Sequence, residues 1–351
     1  MSTFLELEHV TKTFGSGGLF KSDSVTVAVD DVSLTIDEDE PSIVTVAGES
    51  GSGKTTLARL LLGSHVPTTG RMLYRGKDFT KLTRRERRSF RREIQPIFQD
   101  PFESYNPFYK VDHVLEEPIK NFKLTSSDSE KNRMIEEALE MVGLVPNETL
   151  GRFPHQLSGG QRQRVMVARA LLLKPRVILA DEPVSMVDAS LRATILDSIR
   201  RLNRDLGISV VYITHDLTTA YQISDNIMVM YRGTVVEAGT VDAVIPNPQH
   251  PYTQLLVESI PQPDPKHRWG SEPPQQNWEV VDTDIIGCKF SDRCPAVMDQ
   301  CHKVRPPQFL IEQHQMATCF LHEENKEMGN PDITSTFQME SETLKAAPRG
   351  D

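Results

Sequence analysis

Polar and apolar residues alternate along the first forty positions. Phe4, Leu5, Leu7 and Val10, then residues 25–29 and 32–36, keep the period of two that predicts half-buried strands. Gly15-Ser16-Gly17-Gly18 between them reads as a loop. Residues 43–47, Ile-Val-Thr-Val-Ala, are a continuous apolar run of the kind covered on both faces. A glycine turn leads from it into a helix predicted over 54–62 and stopped by Gly63. Met134, Ile135, Ala138, Leu139 and Val142 recur at helical spacing inside a helix-rich stretch over about 83–143. Apolar runs return at 177–180 and 210–213, each beside a helix-like segment, the alternation that builds a parallel α/β sheet. Prolines from 246 to 274 mark a linker or irregular extension, and the polar, aperiodic residues 323–351 are expected to be disordered. No internal repeat is visible.

Size and charge narrow the class. A chain of 351 residues, 38% hydrophobic, can bury one large core with room for a small second domain. Asp and Glu outnumber Lys and Arg by 49 to 39, and the net charge of −10 argues against a general nucleic-acid binder. No apolar run approaches the ~18 residues that span a bilayer, and residues 1–10 lack a charged-then-apolar leader, so the chain is expected in the cytoplasm. For a cytoplasmic chain, disulfides are the less expected use of the four cysteines in its last quarter. Lys81, Arg84, Arg85, Arg87, Arg88, Arg91 and Arg92 form a basic run interrupted by Glu86 and Glu93. A solvated helix face is its default reading, with lipid headgroups or an acidic partner as the alternative.

The glycine turn carries the candidate chemistry. Gly48-Glu49-Ser50-Gly51-Ser52-Gly53-Lys54-Thr55 fits the phosphate-loop pattern in full, after a strand and before a helix as its mechanism requires. Backbone N–H groups around Gly48, Ser50, Gly51 and Gly53 can wrap phosphate oxygens, and the helix start at Thr55 and Thr56 adds partial positive charge. Lys54 would neutralise the β and γ phosphates of ATP, and the Thr55 hydroxyl would meet Mg²⁺. The strand at 177–180 ends in Asp181 and Glu182, at the sheet end where such folds bind ligands. Asp181 suits Mg²⁺ held through its water shell, and Glu182 suits the polarisation of an attacking water.

Leu157-Ser158-Gly159-Gly160-Gln161 resembles the signature motif of the ABC ATPase family. Ser158, Gly159, Gly160 and Gln161 open a second helix with an N–H-rich start, a second anion site. In that family the signature of one subunit covers the γ-phosphate held by its partner's phosphate loop, so the resemblance implies a head-to-tail pair and ATP hydrolysis. It also implies roles for Gln99, which contacts Mg²⁺ and links the site to membrane subunits, for His215 at the γ-phosphate, and for Asp188 at the dimer interface. Val187 stands there where leucine is usual. Phe14 is the residue implied to stack on adenine.

Asn247-Pro248-Gln249-His250-Pro251-Tyr252-Thr253-Gln254-Leu255-Leu256 is similar to the carboxyl-terminal segment of ATPases that power dipeptide and oligopeptide importers. The resemblance covers residues 1 to about 322. It implies an ATPase core at 1–245 with a helical subdomain at about 100–165, an extension at 246–322, and a tail at 323–351. The expected fold is α/β: a phosphate-loop ABC core, the helical subdomain, and a small irregular cysteine-containing extension. The partners implied are a second ATPase, a heterodimer being suggested by the insertion at 17–20, two transmembrane permease subunits, and indirectly an extracytoplasmic solute-binding protein. The place implied is the cytoplasmic face of the membrane. Some oligosaccharide importers use the same subfamily, and residues 99–108 depart from the common peptide-importer form, so the cargo stays open between peptide and oligosaccharide.

Cys288, Cys294, Cys301 and Cys319 could hold tetrahedral Zn²⁺ or a [4Fe–4S] cluster. Close CxxC pairs, usual for zinc, are missing, and the resemblance to related importers implies the cluster. Two other classes fit poorly. A translation factor of the family would carry two cassettes, and a chromosome or repair ATPase a long heptad insertion between Gln99 and Leu157.

Overall fold

The alternation over the first forty residues resolves into two long antiparallel strands, β1 (Thr3–Phe14) and β2 (Thr26–Asp37). The computed structural model describes residues 2–15, 25–99, 105–185, 187, 189–260, 286–329 and 332–337. Next come β3 (Ile43–Ala47), buried along its whole length, α1 (Lys54–Leu61), β4 (Thr69–Tyr74) and β5 (Lys77–Asp78). The antiparallel sheet they form has the order β2-β1-β4-β5.

A capping box between Thr83 and Glu86 starts α2 (Arg84–Glu93), which runs directly into β6 (Ile94–Ile97). The helical reading of 83–143 is therefore interrupted by a strand. Short and holding Pro96, β6 occupies the outermost position of its sheet, where a residue without an N–H is tolerated. The basic run is only partly a solvated face. Arg87 donates to the carbonyls of Phe79, Thr80 and Leu82, Arg88 to that of Asn121, and Arg92 to that of Leu173.

Helices α3 (Val111–Phe122), α4 (Asp128–Met141), the one-turn α5 (Pro146–Thr149) and α6 (Gly159–Leu171) make the helical layer. Strands and helices then alternate as β7 (Val177–Asp181), α7 (Ala189–Leu206), β8 (Ser209–Thr214), α8 (Leu217–Ile223) and β9 (Asn226–Tyr231). β10 (Thr234–Thr240), α9 (Val241–Val244) and α10 (Pro251–Glu258) lead to β11 (Phe309–Glu312), β12 (Gln315–Ala317) and β13 (Lys326–Glu327). The order of this second sheet is β13-β11-β12-β10-β9-β3-β8-β7-β6, parallel from β9 to β6 and antiparallel beyond.

Successive strand residues face opposite ways, and the parallel strands use both faces. Val44, Val46, Leu179, Val211 and Ile213 join α1 and the antiparallel sheet in one core. Ile43, Ile178, Ala180, Val210 and Tyr212 join α3, α4 and α6 in another. Between these layers the parallel strands end at a common rim.

Strands β11, β12 and β13 continue this sheet beyond β10. β12 pairs with β10 through Glu237, Ala238 and Gly239. Buried Glu237 accepts from the N–H groups of Gln249 and His250 and from the Gln315 amide, each at 2.8 Å. Burial raises its pKa, and these donors oppose the shift. The tail expected to be disordered is corrected in part. Residues 326–327 pair with β11, Ile333 and Phe337 enter the first core, and Thr35 bonds to Asp332 and Thr334. These contacts give the segment the apolar anchors its polar composition concealed. Residues 338–351, and 261–285 of the proline-rich stretch, lie outside the described residues. Among the described residues no helix is long and apolar enough to cross a membrane.

Candidate active site

The phosphate loop runs from the end of β3 to the start of α1, as its pattern requires. Two glycines in it have no substitute. Gly48, at φ 147°, and Gly53, at φ 103°, hold left-handed backbone, and a Cβ at either would run into a carbonyl, of Met230 or of Ala28. Lys54 curls back over the loop, its Nζ donating to the carbonyls of Gly48 at 2.6 Å and Glu49 at 2.8 Å. Burial lowers its pKa, while Glu182, Asp181 and Glu49 act to keep the charge.

Across the loop stand the ends of β6, β7 and β8. A cleft of about 430 Å³ is lined by Ser50, Gly51, Gly53, Lys54, Thr55 and Thr56 on one side and by Gln99, Asp181, Glu182 and His215 on the other. Residues far apart in sequence are brought together because parallel strands deliver their ends to one rim. Glu182 occupies left-handed backbone at φ 44°, rare for a residue with a side chain, and its N–H is held by the Ile213 carbonyl at 2.9 Å. Its carboxylate lies between two neighbours: Oε1 meets His215 Nδ1 at 2.8 Å and Oε2 accepts from Gln99 Nε2 at 3.0 Å. Burial raises the pKa of Asp181, Glu182 adds to the rise, and Lys54 opposes it. A site that crowds two carboxylates beside a buried lysine suits a bound cation and an anionic ligand together.

The other expected residues stand elsewhere. Ser158 caps α6, accepting from Gln161 N–H while Gln161 Oε1 accepts from Ser158 N–H, so the signature forms a capping box. None of residues 157–161 lines the cleft, and the two helix starts do not share one ligand within this chain. Phe14 packs edge-on against His65 at 5.5 Å, with Lys12 over its ring at 5.3 Å. Thr26, its antiparallel partner, lines the cleft with Val27 and Ala28. Those three were not singled out from the sequence, since small and β-branched residues on a strand carry no chemical signal. Asp188 lies outside the described residues, as does the insertion at 17–20.

Cys288, Cys294, Cys301 and Cys319 are free thiols lining one small cavity, with Phe290, Pro306, Phe320 and Leu321 around them. Burial pushes the Cys319 thiol up to about 12 and raises those of Cys288 and Cys294. Among the described residues, no group of three or more His, Cys, Asp or Glu is arranged to hold a metal ion. That arrangement supports neither the [4Fe–4S] cluster nor the zinc alternative.

Residues 29–185 match the family model described as ABC transporter, and residues 236–301 match that of the oligopeptide/dipeptide transporter C-terminal region. The chain is 39% identical to a probable peptide ABC transporter ATP-binding protein, y4tS, of Sinorhizobium fredii, over 90% of this chain and 89% of that one. It is 40% identical to the oligopeptide transport ATP-binding protein OppF of Escherichia coli, over 80% and 83%. With the dipeptide transport ATP-binding protein DppF of the same organism it shares 39%, over 86% and 89%. Among solved structures, it superposes at a TM-score of 0.59 and 30% identity on the ATP-binding cassette MJ0796, covering 68% of this chain and 99% of that one. That cassette is a dimer in a post-hydrolysis state, bound to ADP and phosphate.

Proposed function

As the chain belongs to the ATP-binding proteins of peptide ABC transporters, we propose that it hydrolyses ATP to drive the import of dipeptides or oligopeptides, and that the cleft at the strand rim is where it does so. The observation that carries this reading is the Glu182 carboxylate held between His215 and Gln99, opposite Lys54. Lys54 and the loop amides bind the β and γ phosphates. Glu182 takes a proton from water as its oxygen attacks the γ-phosphorus, the bond to the bridging oxygen breaks, and ADP leaves. His215 and Gln99 fix the carboxylate's orientation. Thr55, Asp181 and Gln99 would hold Mg²⁺, which would offset the phosphate charge.

A complete site takes two chains. Because Ser158 and its glycines stand outside the cleft, they are free to cover a nucleotide on a partner, and the similar cassette MJ0796 is dimeric. The partner proposed is a second ATPase, beneath two permease subunits at the cytoplasmic face of the membrane. The division proposed is a core at 1–245 and an extension at 246–322. Oligosaccharide cargo, left open because some oligosaccharide importers use the same subfamily, finds no support in relatives named for peptide transport. The test is uptake of labelled di- and oligopeptides into cells deleted for this subunit, with and without its gene restored. Peptide uptake that does not depend on the gene, or dependence only for an oligosaccharide, refutes the assignment.

The four cysteines are proposed to hold a [4Fe–4S] cluster. Four soft sulfurs line one cavity, and four thiolates are the donor set such a cluster takes. The cluster would cross-link a segment poor in regular structure. Anaerobically purified protein is expected to be brown, with about four irons per chain, and Cys319→Ser to be colourless. Iron-free wild-type protein from the same preparation excludes the cluster.

A further inference from the structure

The extension reaches the phosphate loop from behind. Arg293, next to Cys294, donates from Nη1 and Nη2 to the two carboxylate oxygens of Glu49, at 2.8 and 3.0 Å. Only a planar guanidinium makes this paired contact. Arg293 is itself held, 16% exposed, over the rings of Tyr231 and Phe290. The Tyr252 hydroxyl meanwhile accepts the Glu49 N–H at 2.8 Å. The second residue of the loop is therefore gripped through both side chain and backbone by groups outside it, while its carbonyl receives Lys54. Glu49 also puts a negative charge into a loop that has to accept a polyphosphate, and an unpaired carboxylate there would repel the ligand.

We infer that Arg293 is a positioning residue for the nucleotide, neutralising Glu49 and fixing the loop so that ATP affinity depends on the cysteine-lined extension. This role rests on the ATP-binding reading above and deepens it. Nothing in the phosphate-loop pattern asks for an acid at position 49, and the arginine that answers it lies 244 residues away.

The test is calorimetric titration of Mg-ATP into full-length wild type, Arg293→Met, Arg293→Lys, and Arg293→Met combined with Glu49→Gln. Arg293→Met is expected to weaken binding by about fivefold or more. Arg293→Lys, which keeps the charge but not the paired geometry and is the milder change for folding, should fall between it and wild type. Removing the orphaned carboxylate with Glu49→Gln should return most of the lost affinity. Wild type that binds no ATP refutes the functional reading instead. Wild-type affinity in both single variants overturns the inference. So does a double variant as weak as Arg293→Met, since Arg293 would then act only by holding the extension together.

Discussion

Glu182→Gln is expected to leave ATP binding intact while hydrolysis falls by about 10²-fold or more, the scale of losing a general base. An amide of the same shape still reaches His215 and Gln99, which hold the carboxylate at 2.8 and 3.0 Å, but it cannot take the proton from water. The fall therefore belongs to turnover rather than affinity. Phosphate release measured beside the ATP dissociation constant separates the two. Hydrolysis at the wild-type rate would take Glu182 out of the role of base.

The second large effect is on stability and comes from His250. Its ring is buried beside β10 and α10, where Nδ1 accepts the Tyr252 N–H and Glu237 accepts the backbone N–H of His250. Burial, with His322 adding to the effect, lowers its pKa to about 3. The unfolded chain binds this proton near pH 6.5, so between about 6.5 and 3 the unfolded state holds more protons and stability rises with pH. Acidification from pH 6.5 should thus cost about 1.4 kcal/mol per pH unit at this group, about 2 kcal/mol by pH 5. Glu237 works the other way. Its raised pKa favours the folded state as pH falls within the window just above 4.5. The comparison that isolates the histidine is urea unfolding of wild type and His250→Asn at pH 7 and pH 5. Wild type should lose more stability than the variant by about 2 kcal/mol; equal losses exclude His250 as the source.

Much of the rim that lines the cleft was legible because its chemistry is local. The phosphate loop, the acids after β7 and the histidine after β8 each sit at a strand end, and parallel strands bring such ends together whatever the intervening sequence. Boundaries that depend on tertiary partners were harder. β6 looked like part of a helical stretch because four residues are too few to show a period, and it is a strand because β7 pairs with it. Ile333 and Phe337 are two apolar residues in a polar tail, and only the presence of β2 and the first core explains their order. The pairing of Arg293 with Glu49 leaves no trace in spacing or composition.

The way β12 lies against β10 bears on how the chain can be divided. A protein ending at residue 245 would keep every residue of the phosphate loop, yet β10, seven residues long and buried throughout, would present a bare row of backbone donors and acceptors to any neighbour. Truncation after residue 245 should therefore yield self-associating material rather than a minimal enzyme. β12 acts as the seam that covers β10 against strand addition by other copies.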